Sequence, residues 1–132
     1  DHWIECHGMS DAELYDQIQA DELDILVDLV GYAGSHRLKV FSMRAALVQV
    51  SYLGYPNTTC LSAMDYRLSD SWADPVGMTE DQYTEQLVRL SGGFLCYTPA
   101  SDLPAIAPLP ADSNGGVCFG SFNSFQGVAI LQ

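Results

Sequence analysis

The residues best placed to do chemistry in this chain stand at the ends of apolar runs. Leu53-Gly54-Tyr55-Pro56 closes the run Leu47-Val-Gln-Val-Ser-Tyr-Leu53. A glycine directly after a strand lets backbone approach a ligand, and the tyrosine beside it offers a flat face and a hydroxyl. In open α/β sheets ligands gather at the carboxyl ends of such strands. The same four residues also fit an ordinary strand-ending turn, and spacing alone does not separate the two readings. Asp24 and Asp28 share one side of a second run, Leu23 to Leu29, and paired carboxylates can do acid/base work. At the usual strand rise they stand about 13 Å apart, farther than a two-carboxylate glycosidase uses. Asp28 is therefore read as a side chain that bonds loop backbone at the strand end. His2, His7 and His36 are too scattered to form a metal set and read as solvated. Neither Gly-x-Gly-x-x-Gly nor a P-loop is present, which leaves a dinucleotide or ATP fingerprint unsupported.

The elements that must position these residues follow from local signals. Ser10-Asp-Ala-Glu13 has the form of a capping box, and Leu14, Tyr15 and Ile18 recur at helical spacing, so a helix is expected over residues 11–20. Leu23 to Leu29 reads as a strand, Gly31 and Gly34 break it into a turn, and Leu38, Phe41 and Ala45 mark a second helix reaching about Ala46. The strand Leu47 to Leu53 follows. Strand, helix and strand within this length make a βαβ unit with parallel strands. Tyr66 to Ser69 is a short third strand. Thr79-Glu-Asp-Gln82 is a second capping-box pattern, opening a short helix to about Gln86, and Leu87 to Leu90 is a further strand. Four of the six prolines and a Gly-Gly pair fall between Thr98 and Gly116, the composition of a connecting segment. Val117 to Phe122 is a final strand that ends in a polar turn at Asn123-Ser124.

The 132 residues carry seventeen acids against five bases, a net charge of -12. Phosphate backbones and anionic membranes are repelled by such a field, so nucleic acid and membrane are excluded as expected partners. The longest apolar runs are far shorter than the roughly 20 residues a membrane span needs. Cys6, Cys60, Cys96 and Cys118 are irregularly spaced, without Cys-x-x-Cys or zinc spacing. They read as reduced and mostly buried small hydrophobes, which favours a reducing compartment and a cytoplasmic or nucleocytoplasmic location. A signal peptide is not visible, although an internal fragment would not show one.

Several longer stretches then fall into one pattern: Gly8-Met-Ser-Asp11, Asp24-Ile-Leu-Val-Asp-Leu29 with Gly31-Tyr32, Gln49 with Leu53-Gly-Tyr-Pro56 and Thr58, Met64-Asp-Tyr66, and Phe119-Gly-Ser-Phe-Asn123. Spread over residues 3–127, they resemble the catalytic region of the protein O-linked N-acetylglucosamine transferases, with their SPINDLY-like relatives, glycosyltransferase family 41. The resemblance implies an α/β fold, a Rossmann-like parallel sheet that is part of a two-lobed GT-B glycosyltransferase. Residues 1–97 would be the latter part of the N-terminal lobe, 98–116 the Pro/Gly-rich connector, and 117–132 the first strand and turn of the C-terminal lobe. It also implies UDP-N-acetylglucosamine as donor, protein Ser/Thr hydroxyls as acceptor and no metal or other cofactor. A tetratricopeptide region would precede Asp1, and the rest of the second lobe would follow Gln132. Leu53, Gly54, Tyr55 and Pro56 would line the sugar pocket, with Asn123 and Ser124 contributing from the second lobe.

Three departures from the family pattern bear on activity. The lysine that serves the donor diphosphate falls on Gly127, and losing a preorganised charge of this kind costs on the order of 3 kcal/mol in the barrier. An active relative needs a cation reaching the same spot, for which Arg37 and Lys39 are the candidates. Arg44-Ala-Ala-Leu-Val-Gln49 lacks both prolines of the family's Arg-Pro-Ala-Pro stretch, and Asn57 stands where the family has glycine. Three functions follow: an active transferase segment, a diverged non-catalytic lobe that binds nucleotide sugar or serves as a scaffold, and a plain doubly wound α/β binding domain outside the family.

Overall fold

Ser10 starts the first element as its sequence requires. Its hydroxyl accepts from the Glu13 backbone N–H at 3.3 Å, and the Glu13 carboxylate accepts from the Ser10 N–H at 2.8 Å. Two donors orphaned at a helix start are thereby satisfied, and α1 runs Asp11–Ala20. The computed structural model describes residues 3–117, 119 and 120. After α1 come β1 Ile25–Asp28, α2 Leu38–Ser42, β2 Val48–Ser51, β3 Tyr66–Ser69, a single 3-10 turn Glu80–Gln82 and β4 Gln86–Arg89. The chain divides into two units, Asp1–Tyr97 and Thr98–Gln132. Within the second, α3 spans Pro110–Asn114, with proline in its first turn and Gly115 left-handed at its end. That helix lies inside the stretch read from composition as a connector.

The four strands form one sheet in the order β1-β2-β3-β4, and every neighbouring pair is parallel. Strand order that follows chain order, with connections of the usual right hand, places the connections on one face of a sheet. The packing agrees. Leu26 of β1 meets Ile18, Val40 and Ala45 in one cluster and Leu38, Phe41 and Met64 in another, so α1, α2 and the segment before β3 lie on its side.

Register assigns the two faces. Asp28 aligns with Ser51, Ser51 with Arg67 and Arg67 with Leu87, so Leu26, Asp28, Gln49, Ser51, Arg67, Ser69, Leu87 and Arg89 share one face. This covered face is largely polar, and Asp28, Gln49, Ser51, Arg67 and Ser69 are all buried. Buried polar groups must find partners. Gln49, wholly buried, donates to the carbonyls of Phe41 at 2.8 Å and Ala63 at 2.7 Å and accepts from the Ala45 N–H at 3.0 Å. The opposite face carries Ile25, Val27, Val48, Val50, Leu68 and Val88, yet Ile25 is 59% and Val27 43% exposed. The apolar side of β1 thus faces outward, and its polar side faces the connections.

Several boundaries depart from the sequence reading. The first two strands are trimmed to four residues each, β3 keeps the expected bounds, β4 is shifted by one residue, and α2 stops at Ser42 because Arg44 takes a left-handed φ of 61°. The second capping box does not form: Thr79 makes no cap bond, its Oγ1 is buried without a partner, and only the 3-10 turn follows. Cys60 and Cys96 are exposed and Cys6 is half-buried, which corrects the expectation that the cysteines are mostly buried; these three are free thiols. Val117, Phe119 and Gly120 lie in no strand, and the rest of the strand expected to Phe122 falls outside the described residues. No helix among the described residues is long and apolar enough to cross a membrane.

Candidate functional site

β1 and β2 are parallel neighbours, so their carboxyl ends deliver two turns to the same edge of the sheet. Pairing continues past the strands through Tyr52 N–H to the Asp28 carbonyl at 2.9 Å. Beyond it the main chains touch. A Cβ added to Gly54 would lie 1.9 Å from the Leu29 carbonyl oxygen, and one added to Gly31 would lie 2.2 Å from the Tyr55 Cβ. Gly31 also has a φ of 58°, where a side chain is strained. Both glycines are needed for the two turns to meet.

Side chains secure the first turn. The Asp28 carboxylate accepts from the N–H of Gly31 at 2.8 Å and of Val30 at 3.2 Å, the role expected for it from sequence. Asp24 lies just before the other end of β1, so the two carboxylates form no pair. Tyr32 donates its hydroxyl to the Thr59 carbonyl at 2.6 Å and meets the rings of Tyr55 at 5.4 Å and His36 at 5.7 Å, both edge-on. Edge-to-face rings at such separations attract. His36 is otherwise exposed, as is His7 before the α1 cap.

The second turn enters through a strained residue. Leu53 has a φ of 70°, a conformation costing roughly 1–2 kcal/mol for a residue with a Cβ. Strain of this sort persists where the surroundings over-determine it. Tyr52 helps by donating its hydroxyl to the Phe94 carbonyl at 2.6 Å. On the far side, Thr58 Oγ1 donates to the Glu85 carboxylate at 2.7 Å, Thr59 N–H donates to it at 2.7 Å, and the Thr59 hydroxyl also reaches it. Burial works to raise the Glu85 pKa, but the bonds from Thr59 and Thr58 outweigh it and hold the group below its ordinary value. Leu53, Gly54, Tyr55 and Pro56 are therefore one wall of a turn pair whose other wall is Leu29 to Tyr32.

Two side chains here escaped sequence reading. One is Glu85. The other is Arg67, buried on the covered face of β3, whose Nη1 donates to the Asn57 carbonyl at 3.2 Å and to Ser51 Oγ at 3.3 Å. A charged residue inside the otherwise strand-like Tyr66-Arg-Leu-Ser69 was the available signal. Arg37 and Lys39, considered as replacement cations, both lie on Asp11, at 3.1 Å and 3.8 Å. Asn123, Ser124 and Gly127 lie outside the described residues, so the second wall expected from them is not part of this geometry.

The fold is α/β and Rossmann-like, with the all-parallel sheet from which the lobes of GT-B glycosyltransferases are built. The profile of Glycosyl transferase family 41 matches residues 1–103, and the chain belongs to that family. It is 43% identical over 132 residues to a Petunia hybrida protein named probable UDP-N-acetylglucosamine–peptide N-acetylglucosaminyltransferase SPINDLY, and 44% identical to its Arabidopsis thaliana namesake. Each match covers 98% of this chain and 14% of the relative, so the chain spans about one seventh of their length. A solved variant of the Thermobaculum terrenum O-GlcNAc transferase superposes with a TM-score of 0.77 at 45% identity, covering 82% of this chain and 21% of that one.

Proposed function

We propose that this chain is a segment of a transferase that moves N-acetylglucosamine from UDP-N-acetylglucosamine to Ser or Thr hydroxyls of proteins. The observation that carries the reading is the meeting of two glycine-dependent turns, Leu29 to Tyr32 and Leu53 to Asn57, at the carboxyl edge of a parallel sheet. Relatives 43% and 44% identical to this chain are named for that reaction. On this reading Leu53, Gly54, Tyr55 and Pro56 line the sugar pocket, and Asn123 and Ser124 belong to the facing lobe. Residues 1–97 form the latter part of the first lobe, 98–116 the connector and 117–132 the beginning of the second. Flanking polypeptide supplies the rest of the cleft and an acceptor-selecting helical repeat. The reaction proceeds without a metal, in the cytoplasm or nucleus, where free thiols such as Cys60 and Cys96 persist.

Gly127 favours a second reading, a diverged lobe that binds the sugar nucleotide without transferring it. Arg37 and Lys39 are held by Asp11, which leaves them less available as substitutes for the lysine. Sugar transfer to a protein acceptor, assayed with the polypeptide that carries this segment, separates the two. Transfer that falls when Tyr55 is replaced by alanine supports the first reading. Donor binding without transfer supports the second, and no donor binding refutes both.

A further inference from the structure

Five bases serve a chain with a net charge of -12, and four of them reach a carboxylate: Arg37 and Lys39 on Asp11, Arg44 on Asp65, Arg89 on Glu80. Arg67 pairs with none among the described residues, although it is the most buried of the five at 4% exposed. A buried charge without a counter-charge is costly, and an apolar residue of similar volume would fill the space more cheaply. What compensates it identifies its work. Nη1 is shared between the Asn57 carbonyl and Ser51 Oγ, the guanidinium lies 5.6 Å from the Tyr83 ring centroid, and Nε has no partner. The side chain thus joins the end of β2, the exit of the 54–57 turn and the segment before β4.

That turn needs an anchor on each side. At its entrance Leu53 is strained, and Gly54 is pressed on the Leu29 carbonyl. At its exit the Asn57 side chain is occupied by the Thr58 N–H at 2.8 Å, so the Asn57 carbonyl is the group left to hold. We propose that Arg67 is a positioning residue that fixes the Gly54–Asn57 turn through the Asn57 carbonyl and thereby sets its fit to the sugar nucleotide. The inference rests on the reading that this turn lines the donor pocket.

Arg67→Met and Arg67→Lys in the polypeptide that carries this segment test it, with amide hydrogen exchange and UDP-N-acetylglucosamine affinity as readouts. Arg67→Met speeds exchange at Gly54 and Thr58, whose N–H groups donate to the Tyr52 carbonyl and Asn57 Oδ1, and weakens donor binding, each by about tenfold, as loss of a charge-assisted bond implies. The amides of Val48–Ser51 stay protected and the melting midpoint falls only slightly, because no buried carboxylate is left behind and only Ser51 Oγ and the Asn57 carbonyl lose a partner. Arg67→Lys keeps a charge but not the fork, and recovers part of both effects. Unchanged exchange at the turn overturns the inference. Faster exchange with unchanged donor affinity upholds Arg67's hold on the turn and removes the turn from the donor pocket instead. Early melting of both variants with general loss of protection makes Arg67 a folding residue, and the inference falls.

Discussion

Gly54→Ala isolates the contact on which the turn pair depends. Gly54 does not have a left-handed φ, so alanine is not strained by its own conformation, and the whole effect comes from collision. The new Cβ would lie 1.9 Å from the Leu29 oxygen, 2.8 Å from its carbonyl carbon and 3.0 Å from the Val30 Cα. All three are main-chain atoms, which cannot swing aside as a side-chain end can. Ordinary contact at 3.4 Å requires the two turns to part by about 1.5 Å. Overpacking of this kind costs about 1–3 kcal/mol, and the Tyr52 to Asp28 bond stretched by the same motion adds about 1 kcal/mol, for a total of about 2–4 kcal/mol. That is a large share of the 5–15 kcal/mol typical of a domain. Urea unfolding of the 132-residue chain reads the loss as a lowered midpoint at constant slope, and near-ultraviolet dichroism reports the Tyr32–Tyr55 packing. Gly34→Ala is the control: it has a φ of 51° but open space around it, so only the conformational cost of about 1 kcal/mol applies. A Gly54→Ala chain with the wild-type midpoint and intact tyrosine dichroism would refute the reasoning.

Gln49→Leu strands the Ala45 N–H, while the Ala63 and Phe41 carbonyls keep the Arg44 guanidinium and the Arg44 N–H, and should cost about 1–3 kcal/mol by urea unfolding; an unchanged midpoint would mean that the Ala45 N–H finds another partner. Ile25→Thr on the outward face of β1 should cost no more than about 0.5 kcal/mol in the same assay, since the side chain is already mostly in solvent. Glu80 is held down to about 2, first by the Gly77 N–H, then by its own N–H and by Arg89, and bonds from Ser10 and Arg44 likewise lower Glu13 and Asp65. Because these folded-state values lie below the unfolded ones, their stabilisation is complete above about pH 4.5 and is lost as pH falls toward 2. Melting midpoints that stay flat across that window would contradict the assignment.

Much of the scaffold was legible because its signals are local. Ser10 and Glu13 cap α1 within one turn of chain, and the β-branched runs around Val27 and Val50 can form little but strands. The joined turns could be expected from the glycines and the parallel βαβ order, and Asp28 bonds loop backbone as its position at a strand end implies. Partnerships across the chain were not legible. Thr79 and Gln82 match the same capping pattern as Ser10 and Glu13, yet Gly77 captures the neighbouring Glu80 carboxylate and the helix stops after one turn. Which face of β1 lies inside depends on the side its connections take, and an alternating pattern does not state this. Arg67 and Glu85 matter only through Asn57 and Thr59, and those contacts exist only once β3 and β4 have paired beside β2.

Where Gly54 meets Leu29, the turn pair rests backbone on backbone. At that contact the trace depends on the missing side chain of Gly54, so the Leu53 side chain and the outer ring of Tyr55 can be exchanged while Tyr32 and Arg67 keep their hold on the flanking carbonyls. A framework of this kind separates shape from decoration: the side chains at Leu53 and Tyr55 can change, whereas a single methyl at Gly54 moves the ledge itself.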